Sequence, residues 1–104
     1  MLRIYTVILE TIRTLRPTME RIERKAPDLG RQMKRAASSI ALNVSEGCYS
    51  RGGNRQVRYH SAPGSAQETL ACLEVAAVLG YADEVDAELR NRFNTILGTL
   101  MKLV

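Results

Sequence analysis

Apolar side chains recur along this chain at helical spacing and nowhere alternate over the length of a strand. In the first stretch, from about Ile4 to Arg24, the positions Ile4, Ile8, Ile12, Leu15, Met19 and Ile22 form one stripe. Pro17 falls inside that stretch and is expected to kink it or weaken one turn. Ala26-Pro27-Asp28 reads as a break, with Asp28 as cap for the next helix. The second helix carries Met33, Ala36, Ala37, Ile40 and Val44 on one face and ends near Gly47. The stretch Ser50 to Asn54, SRGGN, has the composition of a turn. The third segment extends to Gly80, and its second half lines up Leu70, Leu73 and Ala77. Its first half contains Pro63-Gly64, which by propensity should fracture a helix. Ser65-Ala66-Gln67-Glu68 then resembles a capping box that restarts one. The fourth segment opens with Asp83, Glu84, Asp86 and Glu88, acids that favour a helix N-terminus, and repeats Val85, Leu89, Phe93, Ile96, Leu100 and Leu103. Three short connections between four amphipathic helices predict an all-α fold, an antiparallel up-and-down four-helix bundle forming a single domain over residues 1–104.

The second helix breaks its own pattern in two places. Asn43 falls about 20° from Ala36 on a helical wheel, at the edge of the apolar stripe. Leu42 lies on the opposite face, among Arg31, Lys34, Arg35 and Ser38.

A length of 104 residues suffices for one modest core. Tryptophan is absent and phenylalanine occurs once, which favours helix packing over a sandwich. No run approaches the roughly 20 apolar residues of a membrane span, and the N-terminal stretch has no small-residue cleavage site, so a cytoplasmic protein away from membranes is expected. Charge is uneven. Residues 1–58 hold 12 basic and 5 acidic side chains, net +7, whereas residues 59–104 hold 3 and 6, net −3. Such asymmetry points either to an anionic partner for the first half or to head-to-tail contact between copies.

Catalytic and metal-binding patterns are wanting. The lone histidine, His60, has no Glu three residues before it, as a di-iron bundle would need. Gly52-Gly53 has no following Lys-Ser/Thr, and Cys48 and Cys72 have no metal-ligand spacing. Glu46 and Glu68 could approach one another as an acid/base pair, but a hydrogen-bonding role for Glu46 is the simpler expectation. No catalytic residue, metal or cofactor is expected.

The run LGRQMKRAASSIALNVSEG, with Gln32, Arg35-Ala36-Ala37, Ser39-Ile40, Asn43 and Glu46-Gly47, continues at Gly64-Ser65, Glu68, Leu73 and Leu79-Gly80-Tyr81. In order and spacing these words resemble the four-helix-bundle family named for proteins encoded in 23S rRNA intervening sequences. That family includes relatives of the accessory variability determinant of diversity-generating retroelements. The resemblance implies an antiparallel four-helix protomer in a ring-like homopentamer, a third helix continuous through Gly64-Ser65, and no catalytic residues. In the retroelement branch it implies association with a reverse transcriptase and with nucleic acid through a basic surface.

These readings assign roles to particular residues. Asn43 and Glu46 on helix two are expected to meet Ser65 and Glu68 on helix three in a polar network that fixes register. Leu42, Asp83 and Glu84 are expected at contacts between protomers. Arg31, Lys34, Arg35, Arg51, Arg55 and Arg58 are expected to contact RNA or DNA phosphates, with affinity that falls steeply with salt. Asn43→Leu is expected to preserve helicity by circular dichroism while broadening the mass distribution in light scattering; an unchanged, monodisperse assembly would count against the register role.

Overall fold

The computed structural model describes residues 2–103, and their apolar stripes fold as four helices: α1 (Arg3–Lys25), α2 (Pro27–Tyr49), α3 (Gly53–Val78) and α4 (Ala87–Met101). No strand occurs among the described residues.

In α1 the stripe buries Ile4, Ile8, Leu15, Met19 and Ile22, with Thr11 among them. The Thr11 hydroxyl is tolerated there because it donates to the Val7 carbonyl at 2.8 Å. Pro17 does not interrupt the helix. Its ring lies on the exposed face, where water can take the carbonyl that lacks a proline N–H.

The break between α1 and α2 is one residue long. Ala26 ends α1 by donating to the Ile22 carbonyl and opens α2 by accepting from Gly30. Pro27 occupies the first helical position, where its missing N–H is no loss. Asp28 therefore does not cap α2. It sits within the first turn and accepts from Arg31 at 2.6 Å. Gly30 is buried against α1, and a Cβ there would run into the backbone of Glu23.

The turn between α2 and α3 needs Gly52, whose φ of 59° and ψ of −134° suit a residue without Cβ. From there α3 runs unbroken through Pro63 and Gly64, in place of the break that propensity predicts. The resemblance pointed to this continuity. Proline costs about 3 kcal/mol against alanine in a helix interior, through one lost hydrogen bond and the clash of its ring with the preceding turn. Against it stands a continuous buried stripe of Tyr59, Ala62, Pro63, Ala66, Thr69, Cys72, Leu73 and Ala76. The stripe spans both sides of the proline, so a break would expose half of it. Ser65 consequently caps nothing, and its hydroxyl reaches the Ser61 carbonyl and Ser39.

Gly80, with φ of 81°, ends α3. Gly80 N donates to the Ala77 carbonyl and Tyr81 N to the Ala76 carbonyl, the two bonds of a Schellman stop. Of the four acids that follow, Asp86 is the N-cap of α4, accepting from Leu89 N at 2.8 Å, and Glu88 lies in the first turn. Asp83 and Glu84 precede the helix, in the connection.

Two core clusters result. One gathers Ile4, Ile8, Ile40, Val44, Ile96 and Leu100; the other gathers Leu15, Met19, Ile22, Met33, Leu73 and Phe93. Half-buried Ile12 packs against both. The contact between α2 and α3 is the most extensive in the molecule. Along it Ser39 meets Ser65, Glu46 meets Arg58, and Gly47 meets Tyr59.

Gly30→Ala is expected to destabilise the fold by roughly 1–3 kcal/mol, because the methyl can be housed only by moving α1 off α2. Chemical denaturation checks this. A control, Gly64→Ala at an exposed position with open space, is expected to be neutral or stabilising.

Candidate nucleic-acid interface

One face of α2 is concave where α3 lies beside it. Lys34, Arg35, Ser38, Ser39, Leu42, Asn43 and Glu46 recur at helical spacing along this face, and Arg58 of α3 joins them to line a groove of about 450 Å³. An adjoining depression shares Glu46 and Arg58 and adds Ser45, Tyr49, Ser50, Asn54 and Val57.

The six candidate phosphate ligands are not alike. Lys34, Arg35 and Arg58 line the groove together. Lys34 is 3.5 Å from Glu23, and Arg58 is 2.9 Å from Glu46. Arg31 lies outside it, paired with Asp28. Arg55 is spent on the α2–α3 turn, where its Nε donates to the carbonyls of Gly47 and Ser50. Arg35 and Arg51 have no ion-pair partner among the described residues. The existing pairs are half-exposed, so each is weak and exchangeable for a phosphate.

Asn43 is buried, and its amide nitrogen donates to both the carbonyl and the hydroxyl oxygen of Ser39, each at 2.9 Å. Ser65 donates to the same Ser39 hydroxyl at 2.9 Å, which carries the chain of bonds from α2 to α3. Glu46 and Glu68 are not part of it. Glu46, on the outer face, is drawn to Arg58, and exposed Glu68 makes no hydrogen bond among the described residues. Ten residues separate Arg58 from Glu68 on α3, about 15 Å along its axis, so the two carboxylates do not form a pair. Ser39 was the partner that sequence reasoning missed, though its position four residues before Asn43 is the signal that finds it.

The other sequence-predicted residues sit apart. Leu42 is exposed within the groove itself. Asp83 pairs with Arg21 at 3.7 Å, and Glu84 lines a separate depression with Val78, Val85 and Arg90. Among the described residues no group of three His, Cys, Asp or Glu side chains could hold a metal ion, and no helix is long and apolar enough to cross a membrane. Cys48 and Cys72 are free thiols.

The model of the 23S rRNA-intervening sequence protein family matches residues 7–102. The chain belongs to that family. The matched span contains the groove, the Asn43–Ser39–Ser65 bonds and both buried glycines. No curated protein and no solved structure gave a match.

Two buried acids of α3 are also perturbed, Tyr59 at the α2 seam and Cys72 in the core. Tyr59 packs its ring on Gly47, and its hydroxyl donates to the Cys48 sulfur at 3.7 Å. Burial chiefly, then the Cys48 contact, holds the Tyr59 phenol above its ordinary 10.0, with Arg55 opposing. Burial likewise raises the Cys72 thiol above 9.0, helped by the Glu68 charge. Both acids therefore keep their protons longer when folded than when unfolded. Stability from this source is complete below pH 9 and falls as pH rises through 9 and then 10, because the unfolded chain releases protons that the folded one retains. Urea unfolding between pH 8 and 11 is expected to show that decline, and Cys72→Ala to remove its onset near pH 9.

Proposed function

We propose that this protein is a non-enzymatic, homo-oligomeric accessory protein that associates with nucleic acid through the basic face of α2. The observation that carries the reading is the convergence of Lys34, Arg35 and Arg58 on one groove, within the half of the chain whose net charge is +7. The family membership supports a setting close to ribosomal RNA; a cytoplasmic location and a reverse transcriptase as a further partner belong to the same proposal.

The protomer is an antiparallel up-and-down bundle, a reading supported by partners that descend along α3, from Ser65 to Tyr59, as α2 ascends from Ser39 to Gly47. Five such protomers in a ring would multiply individually weak phosphate contacts. The far corner of the bundle supplies a surface for assembly, where Val75, Val78 and Leu79 are exposed beside Asp83 and Glu84. The same corner favours a second reading, a scaffold that binds another protein and has no nucleic-acid role.

Light scattering of the full chain, with and without a mixed RNA and DNA pool, separates these. Starting from 11.6 kDa per chain, an assembly near five protomers is expected, growing with nucleic acid at low salt. With three phosphate contacts to a single strand, affinity should fall roughly 20-fold between 50 and 200 mM salt. Arg35→Glu with Arg58→Glu should abolish the growth without changing the assembly, whereas Val78→Asp should break the assembly and, with the multiplied contacts gone, weaken binding as well. An assembly indifferent to nucleic acid at every salt concentration would establish the scaffold reading.

A further inference from the structure

The groove contains one polar atom that phosphate binding does not use. Asn43 is 8% exposed, and both bonds from its amide nitrogen go to Ser39. One of those acceptors is a carbonyl, which fixes which end of the amide is nitrogen. The oxygen therefore faces away from Ser39, takes no hydrogen bond among the described residues, and belongs to a residue that lines the groove. It is not sealed in the interior: Arg21 Nε is the buried side-chain atom without a partner among the described residues.

A lone acceptor fixed between cations repels a phosphate oxygen and suits a hydrogen-bond donor such as the N–H of a base. Beside it stands Leu42, 58% exposed, an apolar surface among charges. Seven residues on, and so on the same face about 10 Å along the axis, Tyr49 is 78% exposed in the adjoining depression with Val57. Arg58 lines both depressions. The sequence of features along α2 is thus an apolar surface with an acceptor, a cation, and an aromatic surface. A duplex cannot satisfy it: amino N–H groups remain in its grooves, but pairing consumes the ring N–H and stacking hides the base faces that Leu42 and Tyr49 would cover.

Resting on the nucleic-acid reading above, we propose that the α2 groove takes an unpaired, splayed segment of RNA or DNA strand. One base lies against Leu42 and donates its N–H to the Asn43 oxygen, the next lies on Tyr49, and the phosphate between them displaces Glu46 from Arg58. Leu42 then belongs to the strand-binding groove and not to a contact between protomers.

Fluorescence anisotropy on the full chain tests this with a labelled oligo-dT, the same oligo-dT paired with oligo-dA, an abasic strand of equal phosphate count, and an N3-methylthymine strand that keeps stacking but lacks the N–H. The expected result is binding of oligo-dT about tenfold or more tighter than of the abasic strand and the duplex, with the N3-methyl strand weakened severalfold. Leu42→Ser and Tyr49→Ser, both at exposed positions, should bring oligo-dT down to the abasic level and leave abasic binding unchanged. Equal binding of abasic strand or duplex would overturn the proposal while sparing the phosphate reading; unimpaired binding of the N3-methyl strand would overturn the Asn43 contact. Binding of none of the four probes at low salt would overturn the nucleic-acid reading and this one with it.

Discussion

How closely α2 can lie against its neighbours decides the rest of this bundle. Gly30 admits the α1 backbone at Glu23, and Gly47 admits the ring of Tyr59 from α3. Between them Ala36, Ala37, Ala41, Ala62 and Ala66 keep the seams thin. Small residues leave little apolar area per position, so the larger side chains, Ile8, Ile22, Met33, Phe93, Ile96 and Leu100, gather in two clusters at the levels where space allows. A thin seam also brings hydroxyls within reach of one another, and the Ser39–Ser65 bond is its product.

That bond gives the buried amide its meaning. Asn43 is held by its own helix, through Ser39, and Ser39 in turn is held by α3. The polar cluster sits at the boundary between the apolar seam and the basic groove, so one set of hydrogen bonds serves packing on one side and presents an acceptor on the other. Lys34, Arg35 and Arg58 gain from this placement as well. They stand on two helices joined by the Ser39–Ser65 bond, so their spacing is set by the packing of α2 on α3.

Much of this was legible in the sequence. The helical stripes fixed the number and order of the helices, and the clean period of Val85 to Leu100 found α4 directly. Local chemistry misled at three places. Pro63-Gly64 and the Ser65–Glu68 capping box both argue for a break in α3, because propensity counts only the lost bond and the entropy of glycine. The stripe from Tyr59 to Ala76 outweighs them, and its strength depends on what α2 offers opposite it. Asp28 is displaced from the cap by Pro27, which needs the first helical position more. Glu46 is drawn outward by Arg58, a partner twelve residues away that helical spacing within α2 alone cannot reveal. Of the candidate site, the cations were readable as a charge pattern. Their division into three that share a groove, one tied to the turn and two apart was not, because that division depends on the angle at which α3 crosses α2.

The two glycines of α2 also limit how this protein can move. Switching proteins often slide one helix past another by a single turn and trade one set of contacts for its equivalent. Here such a ratchet would carry residues with side chains into the slots now held by Gly30 and Gly47, at opposite ends of the same helix and against different neighbours. No one-turn step of α2 satisfies both slots, so α2 has a single seating. What freedom the backbone keeps lies instead in the eight residues that join α3 to α4, the longest helix-free connection among the described residues.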